Sequence, residues 1–272
     1  VAERTGTQAV ALARKRLGID QILTAKAFEN AMRVLLAIGG STNGIVHLTA
    51  IAGRLGFEVD LEALDRMGRE TPVLVDLKPS GQHYMEHFHA AGGMTTLLRE
   101  LKPLLHLDAL TVTGRTLGEE IDNAPPSFVQ DVVRSMANPI YPQGGIAVLR
   151  GNLAPGGAII KQSAAKPELM EHEGRAVAFE NMADMAARID ADDLDVQADD
   201  VLVLKNIGPK GAPGMPEAGY LPIPRKLARA GVKVEVLEKH ADFLRDFRGA
   251  EAVDEPAVRL RQGHDMLGAD RV

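Results

Sequence analysis

Apolar residues recur at helical spacing through the first half of the chain. Ala31, Val34, Leu35 and Ile38 give Ala25–Ile38 one apolar stripe, and Ile45, Leu48, Ile51 and Ala52 give another to Ile45–Arg54. A stripe of this kind lies on one face of an α-helix and buries against a neighbour. Between the two, Gly39-Gly40-Ser41-Thr42-Asn43-Gly44 breaks the pattern. Further helices are expected over residues 7–18, Asp60–Met67, Met94–Leu105 and Arg115–Ile121, the last opened by Thr116. Val73–Leu77 is short, apolar and β-branched, which predicts a buried strand, and Lys78-Pro79-Ser80-Gly81 follows it as a turn.

The pattern changes after Asp122. Asn123-Ala124-Pro125-Pro126 and Asn138-Pro139-Ile140-Tyr141-Pro142 have the composition of a linker. Beyond them, Ile146–Arg150, Ala158–Gln162, Ala176–Glu180 and Val201–Lys205 are short apolar or alternating runs of strand type. Helices are expected at Met182–Ile189 and at Pro222–Ala230, the latter with Pro near its first turn. The fold class is therefore α/β. A helix-rich part over residues 1–136 precedes a strand-rich part over residues 137–233, with residues 234–272 as a tail.

Composition narrows the function. The chain has 272 residues, 45% of them hydrophobic, with a net charge of −6 and no clustered basic face for nucleic acid. Apolar runs such as Val34–Ile38 are too short to span a bilayer. There is no cysteine, which excludes disulfides, thiolate zinc sites, cysteine nucleophiles and Cys-ligated clusters within these residues. A reducing, cytoplasmic setting is the corresponding expectation. Residue 1 is Val, which suggests an internal piece of a longer protein.

Several segments carry candidate chemistry, each with a plainer alternative. Gly39–Gly44 places backbone N–H groups and small hydroxyls at a helix start, where an anion is favoured; a capped tight turn is the alternative. His83, His87 and His89 surround Glu86, and on a helix His83 and His87 would share a face as in helical zinc sites; surface histidines are the alternative. The aspartate-rich run Asp190–Asp200 lacks the Gly and Glu of an EF-hand and reads as a solvated loop. Residues 205–217 hold three glycines and three prolines and end in Glu217, the only acid there. A stiff loop of this kind suits either a hard-oxygen metal ligand or a structural turn.

Six ordered blocks together resemble the dihydroxy-acid and sugar-acid (aldonate) dehydratase family. They are Ala37-Ile38-Gly39-Gly40-Ser41-Thr42-Asn43 with His47, Leu77–Gly81, Ala91-Gly92-Gly93, Gly151-Asn152-Leu153-Ala154-Pro155, His172–Ala176, and Gly208–Glu217. Leu105–Asp108 and Tyr220–Pro224 favour the sugar-acid branch. The resemblance implies a hydro-lyase that takes a small-molecule sugar acid, or another 2,3-dihydroxy acid, to a 2-keto-3-deoxy acid. It implies an iron–sulfur cluster, a Mg²⁺ ion, an α/β domain paired with a β-barrel-like domain, and a homo-oligomer. It assigns Glu217 as a Mg²⁺ ligand and makes Thr42, Asn43, Lys78 and Ser80 the substrate-binding candidates.

The sequence also departs from the family. The cluster cysteines and the other Mg²⁺ ligands are expected upstream of Val1, and Val234–Lys239 replaces the expected catalytic-serine segment. No catalytic residue is therefore assigned. Ala109 stands where many relatives have Cys, and His87 where they have Asp. The expectation is a dehydratase fragment that is inactive alone. A non-catalytic remnant or binding module is the first alternative, and a His-based metallohydrolase the second.

Overall fold

The computed structural model describes residues 2–126, 128–151, 154–162, 171–207, 221–232, 240–241 and 258–261. The described part is mixed α/β, with helices first and small sheets later. Contacts divide it into two compact units, Val1–Val148 with Lys161–Ala164, and Leu149–Ile160 with Ala165–Val272.

The first unit is built on helices α1 (Ala2–Lys15), α2 (Ile19–Ile22), α3 (Ala25–Ala37), α4 (Thr42–Arg54), α5 (Leu61–Glu70), α6 (Met85–Ala90), α7 (Gly93–Leu101) and α8 (Leu117–Asp122). Side chains that the sequence supplies fix several starts. Thr24 caps α3 by accepting from the Ala27 N–H, and Asp60 caps α5 by accepting from Glu62 and Ala63. Thr116 and Glu119 close a capping box on α8. The core gathers Ala37, Leu74, Val75, Phe88, Leu97, Leu101, Ile121, Val132 and Val133.

Two expectations change here. Val73–Leu77 is buried from Val73 to Val75 but forms isolated bridges, Val73 to Tyr141, Val75 to Val133 and Leu77 to His83, in place of a regular strand. The Asn138–Pro142 stretch expected as linker supplies some of the partners, and Val133–Arg134 just before it the others. Ile140 N–H donates to the Val73 carbonyl at 2.9 Å, and Arg134 N–H to that of Leu74 at 2.7 Å. These bonds satisfy backbone groups that burial would otherwise leave unpaired.

The second unit carries the sheets. Strands β1 (Ala147–Gly151), β2 (Ala154–Ile160) and β6 (His240–Ala241) form one sheet in the order β1-β2-β6. β3 (Glu171–Gly174) pairs antiparallel with β7 (Val258–Arg261), and β4 (Ala176–Phe179) pairs parallel with β5 (Val201–Leu204). Helix α9 (Met182–Arg188) connects β4 to β5, as a parallel pair requires. Phe179, fully buried, packs with Val177, Met185, Ile189, Leu194, Val196 and Leu221. Helix α10 (Arg225–Arg229) follows, and its Leu227 packs on the same cluster. No described helix is long and apolar enough to cross a membrane.

Candidate functional site

The site begins at the C-terminal end of α3. The last four carbonyls of a helix lack partners within it, and here each finds one. Val34 accepts from Ile38, Leu35 from Gly40, and Leu36 from Gly39. Gly39 takes φ of +60°, the left-handed cap that glycine adopts without a Cβ clash. The Ala37 carbonyl accepts from Leu74 N–H at 2.8 Å and from Val75 N–H at 3.3 Å.

That double acceptance joins the chain just ahead of one sequence motif to the chain just ahead of another. Gly39–Asn43 leaves the core two residues after Ala37, and Lys78–Gly81 leaves it three residues after Val75. Three of the substrate-binding candidates thus stand within a few residues of one hydrogen-bonded junction: Thr42, Asn43 and Lys78. Ser80 follows, exposed, on the same turn as Lys78.

The glycine segment is not a pure break. Helix α4 already starts at Thr42, with Ser41 as N-cap accepting from the Asn43 N–H at 3.2 Å. Ser41 competes well for that N–H, so the helix begins three residues before the apolar stripe does. Thr42 is 3% exposed, and its hydroxyl has no hydrogen-bond partner among the described residues. Asn43 is half-buried one residue on.

The second turn is closely tied. Lys78 N–H donates to the His83 carbonyl at 2.9 Å, and Gly81 N–H to that of Leu77 at 2.8 Å. Asp76 Oδ1 accepts from the Gln82 N–H at 2.8 Å. A Cβ on Gly81 would fall 2.2 Å from Asp76 Oδ1 and 2.6 Å from Leu77 N, so glycine is required for this close approach. The Lys78 ammonium donates to the Tyr84 phenol oxygen at 2.7 Å and lies 4.1 Å from the centre of its ring. Sequence reasoning missed Tyr84. Its only signal is an aromatic residue just beyond a turn that carries a lysine.

The histidines do not build the helical zinc pattern. His83 lies in the bridge to Leu77, two residues ahead of α6, while His87 and His89 lie on α6. His87 Nδ1 accepts from the Tyr84 N–H at 3.2 Å, and His83 Nε2 stands 3.8 Å from Asp76 Oδ2. Among the described residues no group of three or more His, Cys, Asp or Glu side chains is placed to hold a metal ion. Ala109 is buried, and its methyl offers no donor. Glu217 lies outside the described residues.

Comparison with known proteins gives the class. Residues 1–120 match the dihydroxy-acid/6-phosphogluconate dehydratase N-terminal family and residues 131–238 its C-terminal counterpart. The chain belongs to this dehydratase family.

Within the family, its relatives include sugar-acid enzymes. It is 49% identical to L-arabonate dehydratase of Azospirillum brasilense, over 86% of this chain and 40% of the relative. It is 46% identical to L-arabinonate dehydratase of Rhizobium leguminosarum bv. trifolii, over 85% of this chain and 40% of the relative. A dihydroxy-acid dehydratase of Caldicellulosiruptor bescii is 39% identical over 99% of this chain and 50% of the relative. The chain thus spans about 40–50% of the length of these relatives.

Proposed function

We propose that this chain forms part of the substrate site of a hydro-lyase that dehydrates a sugar acid (aldonate), or another 2,3-dihydroxy acid, to a 2-keto-3-deoxy acid. The observation that carries the proposal is the junction at the Ala37 carbonyl, beyond which the chain continues on one side to Thr42–Asn43 at the start of α4 and on the other to the Lys78–Ser80 turn. Relatives named L-arabonate and L-arabinonate dehydratase support the sugar-acid branch over the dihydroxy-acid one.

The residues have matching roles in this reading. An aldonate carries one carboxylate and several hydroxyls. The Lys78 ammonium supplies a positive charge for the carboxylate. Thr42, Asn43 and Ser80 supply hydroxyl and amide groups that both donate and accept, as sugar hydroxyls require.

The family resemblance also implies an iron–sulfur cluster and Mg²⁺. A cluster needs thiolates, and this chain has no cysteine. The residues present do not fit a cluster, and no step is derived through one. The described residues do not form a Mg²⁺ site either. Glu217 is proposed to contribute one carboxylate to that ion. The reading accordingly assigns binding and orientation to these 272 residues, and expects no turnover from them alone. Because cysteine is lacking, a non-catalytic binding module on the same fold is the second reading.

Titration of the ¹⁵N-labelled chain with L-arabinonate tests the proposal. Amide shifts are expected in residues 39–44 and 76–84, at millimolar ligand. Shifts confined to other segments, or none at all, would overturn it.

A further inference from the structure

The substrate reading above needs a cation at Lys78, but an exposed lysine is a poor receptor by itself. Its long side chain has much rotamer freedom to lose when it grips an anion. The structure restricts that freedom in advance. The Lys78 ammonium is held by one residue in two ways, through the phenol oxygen and beside the ring face.

Tyr84 is 53% exposed, but its main chain and one side of its ring are held. It is the N-cap residue of α6, its N–H donates to His87 Nδ1, and its ring meets the His87 ring edge-on at 5.9 Å. The main chain of Lys78 is equally tied, through the His83 carbonyl and the closed Gly81 turn. An ammonium has three donors. Tyr84 takes one, and among the described residues no carboxylate or other acceptor takes another. The outcome is a pre-positioned ammonium with unused donors beside a motif turn.

We propose that Tyr84 is a positioning residue. It holds the Lys78 ammonium in place for the carboxylate of an acidic sugar, so that little side-chain ordering remains when the anion binds. The inference rests on the sugar-acid reading for the identity of the anion. The lysine–tyrosine pair itself does not depend on that reading.

The experiment separates the two. The 272-residue chain, Tyr84→Phe and Tyr84→Leu are labelled with an amine-reactive acylating reagent, and modification of Lys78 is followed by peptide mass spectrometry, with circular dichroism to confirm folding. Tyr84→Phe keeps the ring and loses the oxygen; Tyr84→Leu loses both. Lys78 is expected to react about two- to fivefold faster in Tyr84→Phe and faster again in Tyr84→Leu, with the other lysines unchanged. Equal Lys78 rates in all three folded chains would overturn the proposal.

L-arabinonate is then added, with chloride at matched ionic strength as control. It is expected to slow Lys78 labelling in the parent chain and to do so about threefold less effectively in Tyr84→Phe. Protection that is equal in the parent and in Tyr84→Phe would also overturn the positioning role. No protection in the parent chain, together with faster labelling of the variants, would contradict the sugar-acid reading at Lys78 and leave the pair established.

Discussion

Asn30 grips the main chain of His106 from both sides, donating from Nδ2 to its carbonyl at 3.0 Å and accepting on Oδ1 from its N–H at 2.8 Å. The amide is 7% exposed, so both bonds are shielded from water. This clamp ties α3 to the segment Leu105–Asp108, which leads to Ala109.

Asn30→Ala should therefore destabilise the first unit by about 1–3 kcal/mol, because a partly buried N–H and a partly buried carbonyl both lose their partner. Asn30→Asp should be no milder, since it loses the donor and adds a poorly solvated charge. Urea unfolding measures this. A loss below about 0.5 kcal/mol for Asn30→Ala would mean that water replaces the clamp.

Gly81→Ala should loosen the Lys78 turn. The added methyl cannot occupy a point 2.2 Å from Asp76 Oδ1 without moving the chain. The expected cost is about 1–3 kcal/mol, with weaker response of residues 76–84 to L-arabinonate. A Gly81→Ala chain with parental stability and an unchanged titration would refute the close-approach argument.

Acid should act on the second unit through Arg175, which donates to Asp195 and Asp200 and is held above its ordinary value by them. Burial pushes the Asp200 carboxyl up, but the Arg175 guanidinium and the Gln197 N–H pull it further down, to below the usual aspartate range. Asp195 is also lowered, chiefly by its hydrogen bond from Arg175. A carboxyl more acidic in the folded than in the unfolded chain adds stability above the unfolded value, near pH 4, and that stability disappears as pH falls through the folded value. Unfolding free energy should thus be level from about pH 7 to 5 and fall below about pH 4. Asp200→Asn should lower it by about 1–3 kcal/mol near neutrality and flatten the acid slope. An unchanged acid slope in the variant would assign acid sensitivity to other groups.

Magnesium should bind weakly. If Glu217 is a lone carboxylate ligand, affinity should be no better than about millimolar, because Mg²⁺ keeps its waters unless several anions replace them. Glu217→Gln should remove even that, without loss of fold, since the amide keeps the shape and not the charge. Calorimetric detection of a micromolar site that survives Glu217→Gln would place the ion on other residues.

The helices were largely legible in the sequence. The stripe from Ala31 to Ile38 located α3 to within a residue of its end, and Thr116 marked the start of α8, because helix spacing and caps are local properties. The pairing of Val73–Val75 was not legible as bridges, since its partners Val133 and Tyr141 lie far along the chain, Tyr141 in a stretch with loop composition. The start of α4 was read late because Thr42, Asn43 and Gly44 are poor helix formers that a good N-cap nonetheless recruits.

The site was legible only in part. Thr42, Asn43, Lys78 and Ser80 came from motif resemblance, which names residues and not contacts. The Lys78–Tyr84 pair depends on a turn that folds residues 78–84 back on themselves, and side-chain meeting across such a turn has no periodic signature.

The Ala37 carbonyl has a kinetic implication. Two segments remote in sequence, the end of α3 and the Leu74–Val75 main chain, meet at one oxygen atom, which accepts from both Leu74 and Val75. Fraying of the end of α3 and release of the Leu74–Val75 main chain both break these bonds, so the two should open as one cooperative unit of local unfolding. The amide protons of Leu74 and Val75 should then exchange with solvent in step with those of Gly39 and Gly40, which close the end of α3, as a single door swinging on a shared post.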